Sequence, residues 1–447
     1  MLNYSQIDTD QLALIDRIYE HDTNFIYAGM GAGKTVCALT AVSELLRDGE
    51  VSRVLIVAPL RPAREVWSQE HKKWRHLSAL DVAVACGTPK QRLAAINSNA
   101  PIVVINIENL VWFFNAFKRA HNFDCLVIDE LSKFGDNSAK SVKKLRTYTD
   151  SFKHCTGLTA SPTHEGFDRL FAQVAVLDGG ARFGRSKANF LSDYFWATDY
   201  EQRNWELRPN MQKRIMAKIA DIFYAMPDYT HTLPPLHEHV ETFELDDETR
   251  AHYDEFKRHS VITIDELDIV AENMAVQSGK LEQITSSFVY CDEDVITLSD
   301  TLARKNAFAS LRAREGANRA LIFYSFEEEK AQIISALRGN YRLITDANAV
   351  DDWNNGKVQN LVLHPKSASH GLNLAQGGHT VICYSPIWSN DAFKQLIARV
   401  WRRGQAHEVN VYTLVCLDSV DLIKSDRIEG KEEYDRLLNA YLKEGRV

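Results

Sequence analysis

Short hydrophobic runs alternate with amphipathic stretches along the first third of the chain. Six of the runs have the length and β-branched content of buried strands. They lie at 24–28, 53–58, 81–85, 102–106, 125–129 and 156–160. Between them, 34–47 and 62–74 carry hydrophobic residues at the spacing of a helix face. Strands that alternate with helices predict a parallel sheet covered by helices on both faces.

The pattern changes after Asp178. Residues 179–232 are rich in arginine, glycine and aromatic side chains without strand periodicity, which predicts a mostly helical insertion. Leu233-Pro234-Pro235 then interrupts the chain, because proline blocks helix continuation and restricts the residue before it. A strand at 239–245 and a helix at 246–260 with acidic residues in its first turn are predicted next.

A second alternating region follows. Its predicted strands lie at 320–324, 342–345, 361–364, 381–384 and 409–415, and its predicted helices at 327–337, 390–403 and 420–442. The fold class is therefore α/β, with four segments along the chain. These are a first parallel-sheet lobe at 1–178, the insertion at 179–232, a linker strand and helices at 233–300, and a second parallel-sheet lobe at 301–447.

Composition narrows the class of protein. Hydrophobic residues make up 45% and charged residues 25%, as in ordinary globular proteins. The seven cysteines include no Cys-x-x-Cys pair, so neither a zinc ribbon nor a disulfide framework is predicted. The sequence has no signal-peptide core and no apolar run long enough to span a bilayer. We therefore expect a cytoplasmic protein that uses neither zinc nor a membrane.

The net charge of −8 argues weakly against nucleic acid, since sequence-independent binding relies on cations that neutralise phosphates. One segment departs from this balance: residues 133–153 carry six Lys and Arg side chains against two Asp. Two interpretations stay open, a nucleic-acid patch and a solvated helix face.

A glycine-rich turn separates the first predicted strand from the first long predicted helix. It reads Ala28-Gly29-Met30-Gly31-Ala32-Gly33-Lys34-Thr35. Backbone N–H groups at a helix N-terminus bind phosphates, so a strand, such a turn and a helix in succession predict an ATP-binding P-loop. In a P-loop, Lys34 reaches the β- and γ-phosphates and the Thr35 hydroxyl binds Mg²⁺.

Gly29, Gly31 and Gly33 are the predicted backbone contacts to the nucleotide. Ala28 stands where the first glycine of the motif is usual. The alternative is an ordinary glycine-rich turn followed by chance by Lys-Thr.

Two carboxylates end the predicted strand at 125–129. Asp129 lies 95 residues beyond Lys34, with three predicted strands between them, and Glu130 follows it. In P-loop NTPases such an Asp holds Mg²⁺, and the adjacent Glu can orient and deprotonate the attacking water. The alternative is a strand that ends in acidic residues without function.

Three polar residues share one face of the predicted helix at 390–403. Gln395, Arg399 and Arg402 are four and three residues apart, which places them side by side on a helix. Arginines so placed can stabilise the charge that develops on a γ-phosphate. A surface helix held by ion pairs is the alternative.

In this order the motifs resemble those of superfamily-two helicases. The matching blocks are 31–35, Asp129-Glu130, Thr159-Ala160-Ser161, His370-Gly371-Leu372-Asn373-Leu374 and 395–405. Within the superfamily the chain is most similar to the Swi/Snf-type branch and to small phage-encoded, UvsW-like relatives. The narrower likeness rests on 371–374, Arg402-Arg403-Gly404-Gln405 and Leu233-Pro234-Pro235. The resemblance implies two RecA-like lobes in tandem.

The resemblance also implies roles for residues around the nucleotide. Gln11 would read adenine, with Gln6 as the alternative. Thr159 and Ser161 would couple hydrolysis to lobe movement. Gly371 and Asn373 would touch both the nucleotide and the DNA backbone.

Further roles follow for the remaining motif residues. Arg399 and Arg402 would be arginine fingers. Pro59, Leu60 and Arg61, with Asn109, would contact the DNA backbone. The acidic block reads Asp-Glu-Leu-Ser, which argues against the common RNA helicase branches.

These implications predict an enzyme that uses ATP and Mg²⁺ on DNA, with forked or branched DNA in replication, recombination or repair as the expected substrate. The insertion could supply a wedge that parts the strands, with Trp196 and Trp205 stacking on bases. A bundle with an ordinary aromatic core is the alternative for the insertion. For the whole protein, the alternatives are a duplex translocase that never parts strands and a slow nucleotide-dependent DNA-binding switch.

Overall fold

The hydrophobic runs of the first half form strands that are nearly all part of one parallel sheet. The structure is a computed structural model that describes residues 1–163, 166–201, 204–264, 267–292, 294–368, 372–387 and 390–425. The strands of the first half are β1 (Thr23–Tyr27), β2 (Val54–Ala58), β3 (Val82–Ala85), β4 (Ile102–Asn106), β5 (Cys125–Asp129), β6 (His154–Thr159), β7 (Phe195–Ala197), β8 (Trp205–Leu207) and β9 (Phe223–Ala225). Seven of them form a parallel sheet in the order β3-β4-β2-β5-β6-β1-β9, while β7 and β8 pair as an antiparallel hairpin. All six predicted strands of this half are present within two residues of their predicted ends.

Helices cover both faces of this sheet. Every residue of β2 and β4 is buried as a result. The helices are α1 (Thr9–Glu20), α2 (Lys34–Arg47), α3 (Leu60–Pro62), α4 (Glu70–Lys73), α5 (Pro89–Ile96), α6 (Leu110–Phe117), α7 (Lys140–Tyr148), α8 (Leu170–Asp178), α9 (Lys187–Tyr194) and α10 (Met211–Ile219). The helix predicted at 62–74 is broken into α3, a π-helical turn at Ala63–Trp67 and α4. That turn carries Trp67, which is fully buried in the core.

The segment after Asp178 completes this first half. It contains α9 and α10, and also the three short strands β7, β8 and β9, which the sequence pattern did not predict. Phe190, Ile215 and Ile219 belong to the same buried cluster as the strand residues of the sheet, and β9 pairs with β1. The chain accordingly divides into two units at Met1–His231 and Thr232–Val447.

The second unit contains a six-stranded parallel sheet and two antiparallel hairpins. Its strands are β10 (Leu236–Phe243), β11 (Val261–Ile264), β12 (Leu267–Val270), β13 (Phe288–Cys291), β14 (Asp294–Thr297), β15 (Ala320–Phe323), β16 (Arg342–Leu343), β17 (Asn360–Leu363), β18 (Thr380–Cys383) and β19 (Val409–Cys416). The sheet order is β10-β19-β18-β15-β17-β16. The strand predicted at 239–245 begins three residues earlier, and the one predicted at 342–345 is two residues long.

Alternate residues of this sheet pack into different cores, as the two-residue period of a strand requires. On β15, Leu321 and Phe323 join one buried cluster, whereas Ala320 and Ile322 join another. Helices pack on both faces of this sheet. They are α11 (Asp247–His259), α12 (Met274–Thr285), α13 (Ala303–Glu315), α14 (Glu327–Leu337), α15 (Ala349–Asn354), α16 (Pro365–Ala368), α17 (Asn390–Ile397) and α18 (Val420–Ser425).

The residues between β10 and α13 are more than a linker. Tyr253 and Phe256 of α11 pack with Leu281 of α12 and with the hairpins β11–β12 and β13–β14 in a cluster of their own. α11 begins where the Asp246 carboxylate accepts a hydrogen bond from the Thr249 N–H, a cap typically worth about 1 kcal/mol.

One predicted helix in this unit differs from the structure, and another is described only in part. The helix predicted at 390–403 ends at Ile397 as α17. The helix predicted at 420–442 begins as α18, and its part at 426–442 lies outside the described residues. Within the described ranges, no helix has both the length and the apolar character needed to cross a membrane.

Candidate nucleotide site

The turn between β1 and α2 has a backbone that favours glycine. Gly31 and Gly33 have φ angles of 78° and 89°, in the left-handed region that other residues rarely adopt. Gly33 directly precedes α2, so the first N–H groups of that helix open onto the turn. The predicted P-loop therefore has the strand, turn and helix N-terminus on which phosphate binding depends.

The Lys34 ammonium folds back over this turn. Its Nζ donates to the carbonyl oxygens of Ala28 at 2.9 Å and Gly29 at 3.0 Å. The Thr35 hydroxyl, in the first turn of α2, makes no hydrogen bond to any residue that the structure describes. An anionic phosphate would compete favourably for the ammonium, because charge-assisted hydrogen bonds are stronger than those to neutral carbonyls.

Gln11 fastens the start of α1 to the turn. Its side-chain oxygen accepts from the Asp8 N–H at 3.2 Å, and its Nε2 donates to the Ala32 carbonyl at 3.0 Å. A Cβ at Gly33 would lie 2.2 Å from this Nε2, so any larger residue there would displace the Gln11 amide from the turn. Gln11 thus lies against the phosphate loop, and its adenine-reading role stays a prediction.

Asp129 ends β5 and is partly buried. Burial and, secondarily, the neighbouring Glu130 raise the pKa of the Asp129 carboxyl to about 6, although the Lys34 charge opposes this. The buried Trp67 donates from Nε1 to Asp129 Oδ2 at 2.8 Å. Trp67 is a positioning residue that the sequence pattern did not single out.

Glu130 has a backbone conformation that is unusual for its residue type. Its φ and ψ angles are 57° and 56°, in the left-handed region. Such a residue stores about 1 kcal/mol or more of strain, and strain of this kind concentrates at functional sites. This left-handed conformation turns the chain abruptly at the end of β5.

The Thr159-Ala160-Ser161 block touches the start of the phosphate loop. The Ala28 N–H donates to the Thr159 carbonyl at 3.0 Å, which extends the pairing of β1 with β6. The Ser161 N–H donates to Thr159 Oγ1 at 3.1 Å, which closes a small turn. The block therefore adjoins the nucleotide loop, and its coupling role stays a prediction.

The oxygen groups here suit Mg²⁺ held together with a nucleotide. Thr35 offers a hydroxyl and Asp129 a carboxylate, and Mg²⁺ is commonly bound by one or two protein oxygens plus substrate phosphates. Within the described ranges no cluster of three His, Cys, Asp or Glu side chains forms a metal site without a substrate. Thr35 and Asp129 are the residues that would hold the ion, whose charge would also lower the pKa of Asp129.

Tyr229, near the end of the first unit, also contacts the phosphate loop. Its hydroxyl donates to the Met30 carbonyl, and its ring lies 3.8 Å from a Cβ placed on Gly29. Tyr229 is buried, although 199 residues separate it from Met30. No local pattern in the sequence signals this contact.

Tyr229→Phe is expected to raise the KM for ATP about two- to tenfold, because one hydrogen bond that fixes the phosphate loop is lost while the ring remains. Steady-state ATPase assays check this. Tyr200→Phe is the matched control, since that side chain is fully exposed. An unchanged KM in the Tyr229 variant would show that the loop keeps its shape without the hydroxyl.

The second unit requires a correction to the predicted arginine helix. Gln395 lies in α17, but Arg399 and Arg402 lie beyond its end at Ile397, so the three residues do not share one helix face. The Arg399 and Val400 N–H groups bond to carbonyls three residues earlier, which tightens the chain into turns. Tertiary contacts account for the break: Val400 is fully buried, and the Arg399 carbonyl accepts from the Leu374 N–H at 2.9 Å.

Arg399 and Arg402 are nevertheless bonded to the residues on either side of Asn373. Arg402 Nη1 lies 3.4 Å from the Leu372 carbonyl, and the Asn373 carbonyl accepts from Asn354 Nδ2 at 2.9 Å. Gln405 is buried and bonds to the carbonyls of Ala375, Gly378 and Val400, which fixes this corner of the chain. Gly371 lies outside the described residues.

The predicted DNA contacts lie at the ends of β2 and β4. Pro59, Leu60 and Arg61 directly follow β2; Leu60 is exposed, and Arg61 pairs with Glu65 at 2.8 Å. Asn109 is engaged within the protein by Asn106 and Arg92. Contact of these residues with DNA stays a prediction.

Together, two parallel α/β lobes with a phosphate loop, a strand-end acidic pair and a later arginine corner define a helicase-like ATPase. Residues 18–293 match the SNF2-related domain, and residues 303–404 match the helicase conserved C-terminal domain. The first match covers more than half of the chain, and the protein belongs to the SNF2-related family. The predicted resemblance and the fold class are confirmed.

One relative matches this chain over nearly the full length of both proteins, and longer relatives match it over part of their length. Protein p41 of Acyrthosiphon pisum secondary endosymbiont phage 1 is 28% identical, over 96% of each chain. Protein CHROMATIN REMODELING 5 of Arabidopsis thaliana is 23% identical over 96% of this chain, which spans 26% of that protein. The DNA repair and recombination protein RAD54 of Oryza sativa is 21% identical over 94% of this chain, which spans 49% of it.

A solved structure, the Sulfolobus solfataricus SWI2/SNF2 ATPase core in complex with dsDNA, is 19% identical. The two chains align over 99% of this protein and 95% of the solved chain, with a TM-score of 0.46.

Proposed function

We propose that this protein is a DNA-stimulated ATPase that moves along DNA and unwinds or branch-migrates forked DNA in replication, recombination or repair. One observation carries the ATPase part. β1 and β5 are parallel members of one sheet, so the phosphate loop after β1 and the Asp129-Glu130 pair that ends β5 meet at the same edge. The DNA part rests on the family and on its relatives.

The residues of this site have different roles in ATP hydrolysis. Lys34 and the N–H groups at the start of α2 bind the phosphates, while Thr35 and Asp129 hold Mg²⁺. A bound Mg²⁺ would neutralise charge on the phosphate oxygens. Glu130 orients the attacking water and accepts its proton.

The test is to measure ATP turnover without DNA and with single-stranded, duplex and forked DNA, together with release of a labelled strand from the fork. We expect DNA to raise turnover, with the largest increase on forked DNA, and the fork to be unwound only with ATP. If no DNA raises turnover, the proposal is wrong and a slow nucleotide-dependent switch is favoured.

We further propose that Arg399 and Arg402 stabilise the charge that develops on the γ-phosphate during hydrolysis. Arg402→Ala is then expected to lower DNA-stimulated turnover on the order of 100-fold while ATP affinity changes little. Nucleotide titration and turnover, with and without DNA, separate the two effects. Arg403→Ala, at the neighbouring position, is the control. Equal losses of binding and turnover would indicate a structural role for Arg402.

Strand separation is assigned to the hairpin β7–β8. Trp196 on β7 is 47% exposed, and Tyr200 in the turn is fully exposed. By contrast, Trp205, the other residue expected to stack on bases, packs against the core of the first unit, to which Phe190 and Phe195 belong. Trp196 and Tyr200 are therefore the aromatic side chains of this hairpin that are available to stack on a base at a fork.

Trp196→Ala is expected to slow fork unwinding about fivefold or more, because stacking on an aromatic side chain contributes about 1–3 kcal/mol per base. Duplex-stimulated ATPase should be spared. Tyr4→Ala, which removes another exposed aromatic, is the matched control. Unwinding at the wild-type rate would remove the hairpin from the mechanism.

A duplex translocase that never parts strands is the second candidate. The packing of Trp205 against the core of the first unit favours it, since that ring is one of the two expected to stack on bases. That candidate predicts duplex-stimulated ATPase and displacement of a bound protein or a third strand, without release of a strand from a fork.

A further inference from the structure

A cleft of about 700 Å³ lies in the first unit, at the edge of the sheet opposite the phosphate loop. Its walls are formed by the segment after α6, the end of α7 and the end of α8. The segment after α6 leads into β5, and the segment after α7 leads into β6, so the cleft lies where these strands begin. The phosphate loop, Asp129 and Thr159 lie where the strands end. The length of a five-residue strand, about 15 Å or more, thus separates the two edges.

The cleft is lined by more cations than carboxylates. Its charged residues are Arg119, Lys143, Arg146, Arg185, Asp150 and Asp178. Two of the four cations, Lys143 and Arg146, lie on α7 and come from the basic segment at 133–153.

Both carboxylates already have partners. Asp178 accepts from the Gly180 N–H at 2.7 Å and the Arg182 N–H at 3.0 Å, and it pairs with the Arg182 guanidinium at 3.2 Å. Asp150 pairs with Arg119 at 3.0 Å. Neither carboxylate forms an ion pair with Lys143, Arg146 or Arg185.

Those three cations form no ion pair with any residue that the structure describes. The Arg146 guanidinium lies 5.4 Å from the Phe171 ring centre and 3.4 Å from the Gly184 carbonyl, which fixes its position. The charge of Arg185, second to burial, lowers the pKa of Arg146, so the two cations repel each other. Bound anions would relieve this repulsion.

The loop that brings Arg185 to Arg146 is held in a tight shape. Gly179, Gly180 and Gly184 have φ angles of 67°, 93° and 77°. A Cβ at Gly180 would lie 2.7 Å from the Gly184 carbonyl oxygen, so the loop closes only with glycine there. The cationic cleft is thus a built feature of the fold.

We propose that this cleft binds backbone phosphates of a DNA segment other than the one that stimulates hydrolysis, such as a second arm of a branched substrate. The cleft-lining residues include no aromatic or large apolar side chain that could hold a base. Backbone phosphates therefore fit it better than a free nucleotide does. The inference rests on the proposed function, because it supplies the second contact that a branched substrate needs.

The experiment measures binding of a four-way junction and of a single duplex by fluorescence anisotropy, without nucleotide, over a range of salt concentrations. The variants are Arg146→Gln/Arg185→Gln and Lys143→Gln/Arg185→Gln, the second of which leaves the Arg146–Phe171 contact intact. Arg47→Gln, an exposed cation at the end of α2, is the control. Thermal melting checks the fold of each variant.

We expect either double variant to bind the junction on the order of tenfold more weakly at moderate salt, with the slope of log affinity against log salt reduced by about 2. Duplex-stimulated ATPase should be unchanged. Unchanged junction binding in Lys143→Gln/Arg185→Gln overturns the inference, as does an equal loss of duplex-stimulated ATPase. If millimolar inorganic phosphate raises the melting temperature of the wild type and not of the variants, while junction binding is unchanged, a small anion is the occupant and DNA is not. Binding measured without hydrolysis fails or succeeds independently of the ATPase.

Discussion

Lys34→Ala is expected to abolish ATP hydrolysis, with and without DNA. The lysine ammonium donates to the loop carbonyls of Ala28 and Gly29, so its loss removes the phosphate contact and no core group. Steady-state phosphate release measures the effect. Lys140→Ala provides a matched control, because Lys140 also begins a helix of the first unit.

The fold of the Lys34 variant should be preserved. Its melting temperature is expected to stay within a few degrees of that of the wild type, since surface substitutions usually change stability by less than about 0.5 kcal/mol. Turnover near the wild-type rate would show that the loop after β1 is not the phosphate site. If Lys34→Ala loses its cooperative melting transition, the variant is misfolded. ATP binding by Lys34→Arg then tests the role of Lys34 in place of it.

Glu130→Gln is expected to bind ATP and to hydrolyse it about 10²–10⁴-fold more slowly. The amide keeps the shape of the side chain but cannot accept the proton of the attacking water. Single-turnover measurements with prebound ATP separate this step from binding. Glu44→Gln, near the far end of α2, serves as the control.

The left-handed backbone at Glu130 adds a check. Glu130→Gly relieves the strain of the φ angle of 57°, so that variant should be at least as stable as Glu130→Gln while remaining as inactive. A Glu130→Gln variant with full turnover would mean that another group is the base.

Much of the first unit could be predicted from sequence because its strands are short, hydrophobic and bounded by turns. The phosphate loop and the Asp129-Glu130 pair follow buried strands, and parallel strands end at one edge, so their proximity follows from pattern alone. The strands β7, β8 and β9 are three residues long, too short for periodicity to register.

The contacts that the sequence did not predict are long-range. Trp67 reaches Asp129 across 62 residues, and Tyr229 reaches Met30 across 199. Local spacing carries no information about such pairs. The arginine helix failed for a related reason: the burial of Val400 and the bond from Leu374 to the Arg399 carbonyl override the helical pattern of 390–403.

The position of β9 limits how the protein can be dissected. Among the described strands, β9 is the outermost one of the first sheet and pairs with β1 alone, which precedes the phosphate loop. Excising 179–231 to isolate a minimal motor would expose the N–H and C=O groups of β1 along a free edge, and such an edge invites association with other chains. A shortened protein of that kind should aggregate, so a deletion aimed at the β7–β8 hairpin has to retain β9 and Tyr229.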